Sequence, residues 1–200
     1  MDSKAHWNSI YRSKSDMDMS WTQPEPLMSL RLIGEACASG RVIDVGSGNS
    51  VVPERLLDRG YTIAVLDISE AALELARKRV GARASQIHWI TADISAEPSL
   101  DTFDVWHDRA VLHFLTAPRG RAAYRRLLAQ TLPVGGHAVI GSFALDGPEK
   151  CSGLEVQRYD GPMLALELGP QFSLVKSEPE IHMTPWGKPQ SFQFSLFKRV

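Results

Sequence analysis

One stretch of the chain constrains its fold more than any other, because an apolar strand runs directly into a glycine-containing turn. It reads Val42-Ile43-Asp44-Val45-Gly46-Ser47-Gly48-Asn49-Ser50. Glycine has no Cβ, so it tolerates positive φ and allows the backbone to turn sharply and approach a ligand closely. Gly46 and Gly48 therefore predict a tight, ligand-facing turn at the end of a first strand.

Two later apolar runs end in an acid. Asp67 closes the run Ala64-Val65-Leu66-Asp67 and lies nineteen residues after Gly48, the spacing expected for a strand-turn-helix-strand unit. An acid in that position can accept hydrogen bonds from both hydroxyls of a ribose. Asp93 ends a third run, where a carboxylate can take an adenine amino group. The three strand ends together predict a nucleoside-binding edge.

The glycine turn lacks the third glycine of the pyrophosphate fingerprint. The residue three positions after Gly48 is Val51, where G-x-G-x-x-G requires glycine or alanine. The phosphate loop of form G-x-x-x-x-G-K-[S/T] does not occur in the sequence either. A nucleoside without a diphosphate therefore fits better than a dinucleotide or a nucleoside triphosphate, and an NAD-dependent reductase stays a minor alternative.

In combination, these motifs resemble the class I S-adenosylmethionine-dependent methyltransferases. Five motifs of that family occur in order over roughly residues 40 to 145. They are the glycine motif at Asp44 to Gly48, the ribose acid at Asp67, the adenine-side acid at Asp93, the motif after strand four at Phe103-Asp104-Val105-Trp106-His107-Asp108, and the turn at Leu132-Pro133-Val134-Gly135-Gly136. A single glycine turn would be weak support, whereas five motifs in register are specific.

The fold class expected is α/β, with a Rossmann-like, seven-stranded, mostly parallel sheet that has helices on both faces. Apolar periodicity predicts strands near 41–46, 62–67, 87–91, 103–107 and 136–143, and helices near 27–38, 51–59, 70–80 and 118–131. Phe172–Thr184 and Phe192–Lys198 predict a terminal antiparallel β-hairpin within 171–200. We expect one domain over 1–200, with 1–26 as an N-terminal arm or lid.

The resemblance implies S-adenosylmethionine as the cofactor and S-adenosylhomocysteine as its product. The ribose would lie on Asp67, the adenine between Ile68 and Ile94, and the methionine end over Gly46 to Asn49. The full set of implied cofactor-binding residues is Asp44, Gly46, Ser47, Gly48, Asn49, Asp67, Ile68, Asp93, Ile94 and His107. Plain core packing is an equally good interpretation of the two isoleucines.

Polar groups are dense where strand four leaves the sheet, in Trp106-His107-Asp108-Arg109. His107 and Asp108 are the candidate catalytic residues, since a general base is needed when the accepting atom carries a proton. Two structural alternatives stay open, in which Asp108 caps the following helix and Arg109 pairs with an acid. The candidate substrate pocket consists of Trp21, Arg109, Phe143 and Cys151.

Composition restricts the partners. The formal net charge is -1, which leaves no electrostatic footprint for nucleic acid or for an anionic membrane surface. No apolar run approaches the roughly 20 residues that span a bilayer. The two cysteines, Cys37 and Cys151, have no metal-site spacing, so no metal is expected. We expect a cytoplasmic protein with a small-molecule acceptor and neither a nucleic acid nor a membrane partner.

The function expected is S-adenosylmethionine-dependent methyl transfer to a small molecule. The Trp-His-Asp-Arg-Ala-Val run resembles a group of compact bacterial methyltransferases. The Gly48-Asn49-Ser50 continuation and the tryptophan-rich N-terminal segment also resemble protein lysine methyltransferases, which is the first alternative. An alternative of another class is an S-adenosylmethionine-binding module without transferase activity.

Overall fold

The computed structural model describes residues 2–200, and a seven-stranded sheet forms its centre. The strands in chain order are β1 Arg41–Val45, β2 Thr62–Asp67, β3 Ile87–Thr91, β4 Val105–Arg109, β5 His137–Phe143, β6 Lys150–Cys151, β7 Leu154–Glu155, β8 Phe172–Met183 and β9 Pro189–Arg199. The sheet order is β3-β2-β1-β4-β5-β9-β8, and β6 pairs with β7 in a separate short hairpin. β1 to β5 are parallel, whereas β9 is antiparallel to both β5 and β8.

Helices flank the sheet and connect its parallel strands. They are α1 Ser3–Ser13, α2 Leu27–Ala36, α3 Val52–Leu57, α4 Glu70–Val80, α5 Pro118–Thr131 and α6 Gly161–Leu168. Local sequence explains several of their starts. The Ser69 side chain accepts the Ala72 N–H at the start of α4, and the Asp160 side chain accepts the Met163 N–H at the start of α6. Within residues 2–200, no helix has the length and apolarity needed to cross a membrane.

The hydrophobic core lies on both faces of the sheet, because neighbouring strand residues point in opposite directions. Val42 of β1 packs in the layer that contains α2 and α3, whereas Ile43 packs in the layer that contains α5. Both side chains are fully buried. Burial on both faces explains why the parallel strands read as continuous apolar runs.

The predicted fold class is confirmed by this sheet order and by the terminal hairpin. Three elements were not predicted. The helix α1 lies in what the sequence indicated only as an arm, and the β6–β7 hairpin and α6 lie between 143 and 171, where no element was predicted. β4 also begins at Val105 rather than 103, because the Asp104 side chain accepts the Arg41 N–H at the preceding bend.

The strand order reverses between β1 and β4. The chain proceeds from β1 outward through β2 to β3, then returns to form β4 and β5 on the other side of β1. In open parallel sheets, ligands bind beyond the carboxyl ends of the strands at such a reversal. Asp44, Asp67 and His107 lie at or near the carboxyl ends of their strands, beside this point.

Candidate active site

A cavity of about 440 Å³ opens at the carboxyl ends of the central strands. Its size is in the range of small-molecule sites. α1 and the segment 19–24 form the wall opposite the sheet. The predicted residues that line it are Trp21, Asp44, Gly46, Ser47, Asn49, Asp67, Ile68, Asp93, Ile94, His107, Arg109 and Cys151. Three predicted residues, Gly48, Asp108 and Phe143, do not line it.

The glycine turn has the backbone conformation that its sequence predicts. Gly46 and Gly48 have φ values of 61° and 55°. A Cβ on Gly46 would collide with the Val111 side chain, so glycine is required there for both conformation and space. Gly48 lies against the Tyr11 hydroxyl instead of facing the cavity. Gly48 thus shapes the turn, and its contact with the cofactor stays a prediction.

Backbone N–H groups hold the Asp67 carboxylate in place. The Gly48 N–H donates to Oδ2 at 2.8 Å, and the Ser69 N–H donates to Oδ1 at 2.7 Å. Burial nevertheless raises the pKa of Asp67 to about 6. The turn and the strand end are thus directly joined, with the carboxylate oriented at the cavity wall.

Asp44 and His107 form a buried pair on neighbouring strands. His107 Nδ1 lies 2.5 Å from Asp44 Oδ1, and His107 Nε2 lies 2.9 Å from Ser29 Oγ. Both ring nitrogens of His107 are therefore engaged with protein groups. The second oxygen, Asp44 Oδ2, is buried and has no hydrogen-bond partner within residues 2–200. Asp44 lines the cavity, and this oxygen can still accept a hydrogen bond.

Asp108 does not take part in the cavity, which corrects its assignment as a catalytic residue. Its side chain is 0% exposed. The carboxylate accepts the Val111 N–H at 2.8 Å, the Leu112 N–H at 3.1 Å and the Tyr124 hydroxyl at 2.8 Å. The first two bonds fix the 3-10 turn after β4, so the capping alternative describes what Asp108 does.

Asp93 and two isoleucines lie at the other end of the cavity. Asp93 Oδ1 accepts both the Ser95 N–H at 2.8 Å and the Ser95 hydroxyl at 2.7 Å, which starts the 3-10 turn Ile94–Ala96. Ile68 and Ile94 also line the cavity there. This end therefore combines an acid with apolar side chains from successive strand ends.

Arg109 lies at the end of β4, where its guanidinium is buried against protein. Its Nη1 donates to the Trp21 carbonyl at 2.8 Å, and the group lies 4.9 Å above the Phe192 ring. The alternative in which Arg109 pairs with an acid is not observed among residues 2–200, where Nε and Nη2 are buried without a hydrogen-bond partner. Burial lowers the pKa of Arg109 to about 10, so it is charged at neutral pH.

The remaining two pocket candidates have different placements. Cys151, in β6, lines the cavity, and burial raises the pKa of its thiol, so it is a neutral thiol at pH 7. Phe143 is 1% exposed and packs between the rings of His113 and Phe192, at centroid distances of 4.9 and 4.8 Å. Phe143 is therefore a core residue, which corrects its assignment to the substrate pocket.

Several residues of the cavity were not predicted. Trp7 and Phe114 make edge-to-face contact at 5.1 Å, and Trp7 and Trp21 do so at 5.9 Å. Arg79 donates to the Asn49 and Ser50 carbonyls at 2.7 and 2.6 Å, which ties α4 to the glycine turn. The sequence signal for Trp7 was its place in the N-terminal arm, which is too weak to distinguish a cavity wall from an anchor. In residues 2–200, no three His, Cys, Asp or Glu side chains cluster to hold a metal ion.

Comparisons with known proteins match the part of the chain that carries most of these residues. Residues 42–136 match a family model described as a methyltransferase domain. A tRNA U34 carboxymethyltransferase of Aliivibrio salmonicida (strain LFI1238) is 30% identical over 122 residues, which are 59% of this chain and 36% of the relative. The chain thus spans only about a third of the length of that relative.

Solved structures of similar fold cover nearly the whole chain. The N-methyltransferase NodS of Bradyrhizobium japonicum WM9, in complex with S-adenosylhomocysteine, has a TM-score of 0.74 at 19% identity and covers 97% of this chain and 98% of its own. The 1,6-didemethyltoxoflavin-N1-methyltransferase of Burkholderia thailandensis has a TM-score of 0.70 at 18% identity, covering 99% and 84%. At these identities the likeness is one of fold.

Proposed function

Since residues 42–136 belong to the methyltransferase-domain family, we propose that this protein transfers a methyl group from S-adenosylmethionine to a small-molecule acceptor. The observation that carries the proposal is the buried, unpartnered Oδ2 of Asp44 beside the glycine turn. A buried carboxylate oxygen without a donor is costly. The ammonium group of the cofactor's methionine end would supply that donor.

The nucleoside end of the cofactor fits the opposite half of the cavity. Asp67 is preoriented by two backbone N–H groups, and its oxygens keep further lone pairs for the ribose hydroxyls. Asp93 uses Oδ1 for both of its bonds to Ser95, which leaves Oδ2 for the adenine amino group. Ile68 and Ile94 would cover the faces of the base.

S-adenosylmethionine, when bound, would supply a methyl group on its sulfonium sulfur, which a nucleophile would take in line while S-adenosylhomocysteine leaves. The chain's own contribution is positioning and exclusion of water. Trp7, Trp21 and Phe114 close the cavity on the side opposite the sheet through edge-to-face contacts. Exclusion of water by these rings would strengthen the electrostatic interactions within the cavity.

The two residues predicted to act as a general base, His107 and Asp108, both have their polar atoms hydrogen-bonded to other protein groups. His107 uses both ring nitrogens, one toward Asp44 and one toward Ser29. Asp108 is enclosed by three donors outside the cavity. His107 is therefore a positioning residue that orients Asp44, and the accepting atom is one whose methylation does not require His107 or Asp108 to take a proton.

A small acceptor is supported by the moderate volume of the cavity. The bound 1,6-didemethyltoxoflavin of the Burkholderia thailandensis structure is a small molecule. The Aliivibrio salmonicida relative is named for action on tRNA, so the exclusion of nucleic acid stays a prediction from the net charge of -1.

Calorimetric titration tests the proposal. We expect S-adenosylmethionine and S-adenosylhomocysteine to bind and NADH not to bind. Asp44→Asn removes the charge that faces the ammonium group and should weaken S-adenosylhomocysteine binding by at least tenfold, on the order of 1.4 kcal/mol. Asp101→Asn, at an exposed surface ion pair, is the control and should bind as the wild type does. Failure of both cofactor forms to bind the wild type would overturn the proposal, and binding without methyl transfer across an acceptor screen would favour a binding module.

A further inference from the structure

One side of the Arg109 guanidinium is hydrogen-bonded to the protein, and the other side has no hydrogen-bond partner. Nη1 donates to the Trp21 carbonyl, whereas Nε and Nη2 are buried and have no partner in the part of the chain that the structure describes. Nε–H and one Nη2–H project in parallel from the same edge of a guanidinium. That edge is the fork that matches the two oxygens of a carboxylate.

No protein acid pairs directly with this charge. Among residues 2–200, Arg109 forms no ion pair, and Glu180 and Asp44 act on it only at a distance. The Glu180 side chain accepts from Gln23 Nε2 at 3.5 Å. The other arginine that lines the cavity, Arg79, is paired with Glu54 at 3.0 Å. Buried donors of a charged group that lack a direct partner are costly in the ligand-free protein, so an anion that pairs with Nε and Nη2 would be stabilised there.

The surroundings of Arg109 are apolar and aromatic. Trp21 lies next to it through the carbonyl contact, Trp7 and Phe114 continue the same wall, and Leu154 of β7 also faces the cavity. Flat aromatic side chains pack well against another flat ring. The wall therefore suits an acceptor with a planar apolar body.

We propose that the free Nε/Nη2 edge of Arg109 binds the carboxylate of the acceptor, so that the methyl acceptor of this protein is a small aromatic carboxylate. The inference rests on the proposed function and adds to it the chemical class of the substrate.

Binding of matched carboxylates and amides tests the proposal. Benzoate, phenylacetate and 3-phenylpropanoate, and the three corresponding primary amides, are titrated into the protein saturated with S-adenosylhomocysteine. At least one carboxylate should bind ten times or more tightly than its amide. Arg109→Gln should abolish that preference, and Arg109→Lys, which keeps the charge but loses the fork, should retain part of it. Arg59→Gln is the matched control, because Arg59 also donates to a backbone carbonyl, that of Leu30, but does not line the cavity.

Several outcomes would overturn the proposal. They are equal binding of every carboxylate and its amide to the wild type, and a preference that persists in folded Arg109→Gln. A third outcome combines two results: Arg109→Gln binds S-adenosylhomocysteine ten times more weakly, and no carboxylate binds to the wild type that is saturated with S-adenosylhomocysteine. Arg109 would then bind the carboxylate of the cofactor itself. The wild-type comparison needs no variant, so misfolding of Arg109→Gln does not affect it. If S-adenosylhomocysteine fails to bind, the proposed function fails, and the same titrations into the ligand-free protein still test the Arg109 edge.

Discussion

At the scale of single residues, three aspartates near strand ends have different surroundings and therefore different roles. Asp44 shares one oxygen with His107 and leaves the other unpartnered. Asp67 receives one backbone N–H on each oxygen and still lines the cavity. Asp108 is enclosed by three protein donors and faces none of the cavity. Hydrogen-bond saturation, more than position along the strand, decides which acid is available to a ligand.

The pH dependence of cofactor binding should report on Asp67. Burial raises its pKa in the ligand-free protein to about 6, whereas ribose hydroxyl donors favour the ionised carboxylate. Below pH 6, binding must first remove a proton, so S-adenosylhomocysteine affinity should fall toward tenfold per pH unit. Between pH 7 and 8 the affinity should be nearly constant. Calorimetry at pH 5, 6, 7 and 8 measures this profile.

Asp67→Asn is the variant that assigns the pH profile. It should bind S-adenosylhomocysteine at least tenfold more weakly at pH 7, because an amide offers one acceptor oxygen where the carboxylate serves two backbone donors and the ribose. Its affinity should then change little between pH 5 and 7. A wild-type profile that stays flat, or a variant that keeps the same slope, would contradict the assignment to Asp67.

The sequence was enough to predict which residues lie near the site. It was a poorer guide to the contacts that each of their side chains makes. Spacing and strand ends were sufficient to predict that Asp44, Asp67 and Asp93 approach one cavity. They were insufficient for Asp108, because its donors include Tyr124 on a later helix, whose position depends on tertiary packing. Phe143 failed for a similar reason, since two aromatic neighbours from separate elements enclose it.

At the scale of elements, the side chain of Asn8 in α1 is hydrogen-bonded to the start of α4. Asn8 Oδ1 accepts the Ala71 N–H at 3.1 Å and the Ser69 hydroxyl at 3.0 Å. It therefore satisfies an N–H in the first turn of α4, which has no partner within that helix. The same contact holds Trp7 and Tyr11 of α1 against the cavity.

Asn8→Ala should affect both stability and ligand binding. Loss of the acceptor should lower the free energy of unfolding by about 1 kcal/mol, and S-adenosylhomocysteine affinity should fall several-fold because the cavity wall is less well seated. Urea denaturation and calorimetry provide the two measurements. Ser9→Ala, at the exposed neighbouring position, should change neither. If Asn8→Ala lost stability but kept full affinity, α1 would be an anchor that plays no part in the cavity wall.

The accuracy of the predicted elements followed the strength of the local signal. α5 was predicted with its observed bounds, 118–131, because a proline at its first turn and regular apolar spacing mark it clearly. α1 is largely exposed and polar, so its periodicity is weak. α6 begins with Gly161-Pro162, which also suits a loop, and β6 and β7 have two residues each, too few to show alternation.

At the scale of the whole molecule, the cavity joins segments that are far apart in the chain. Its wall includes Trp7 of α1, the turn after β1, Asp93 after β3, Arg109 at the end of β4 and Cys151 of β6. Strand alternation predicted the sheet and its reversal beside β1, and hence the contributions of the strand ends. The contributions of α1 and β6 depend on how these elements fold over the sheet, for which the local pattern carries no signal.

Because one ligand would contact all of these segments, binding should stabilise them together. At a hundred times the dissociation constant, S-adenosylhomocysteine should add about 2.7 kcal/mol of stability, which raises Tm by about 5 to 10 °C for a chain of this size. Hydrogen exchange should slow in α1 and in residues 44–51, while α6, which does not line the cavity, should be unchanged and serves as the internal control. Protection confined to 44–51, with α1 exchanging as in the free protein, would show that the ligand contacts the sheet edge without engaging the wall that α1 forms.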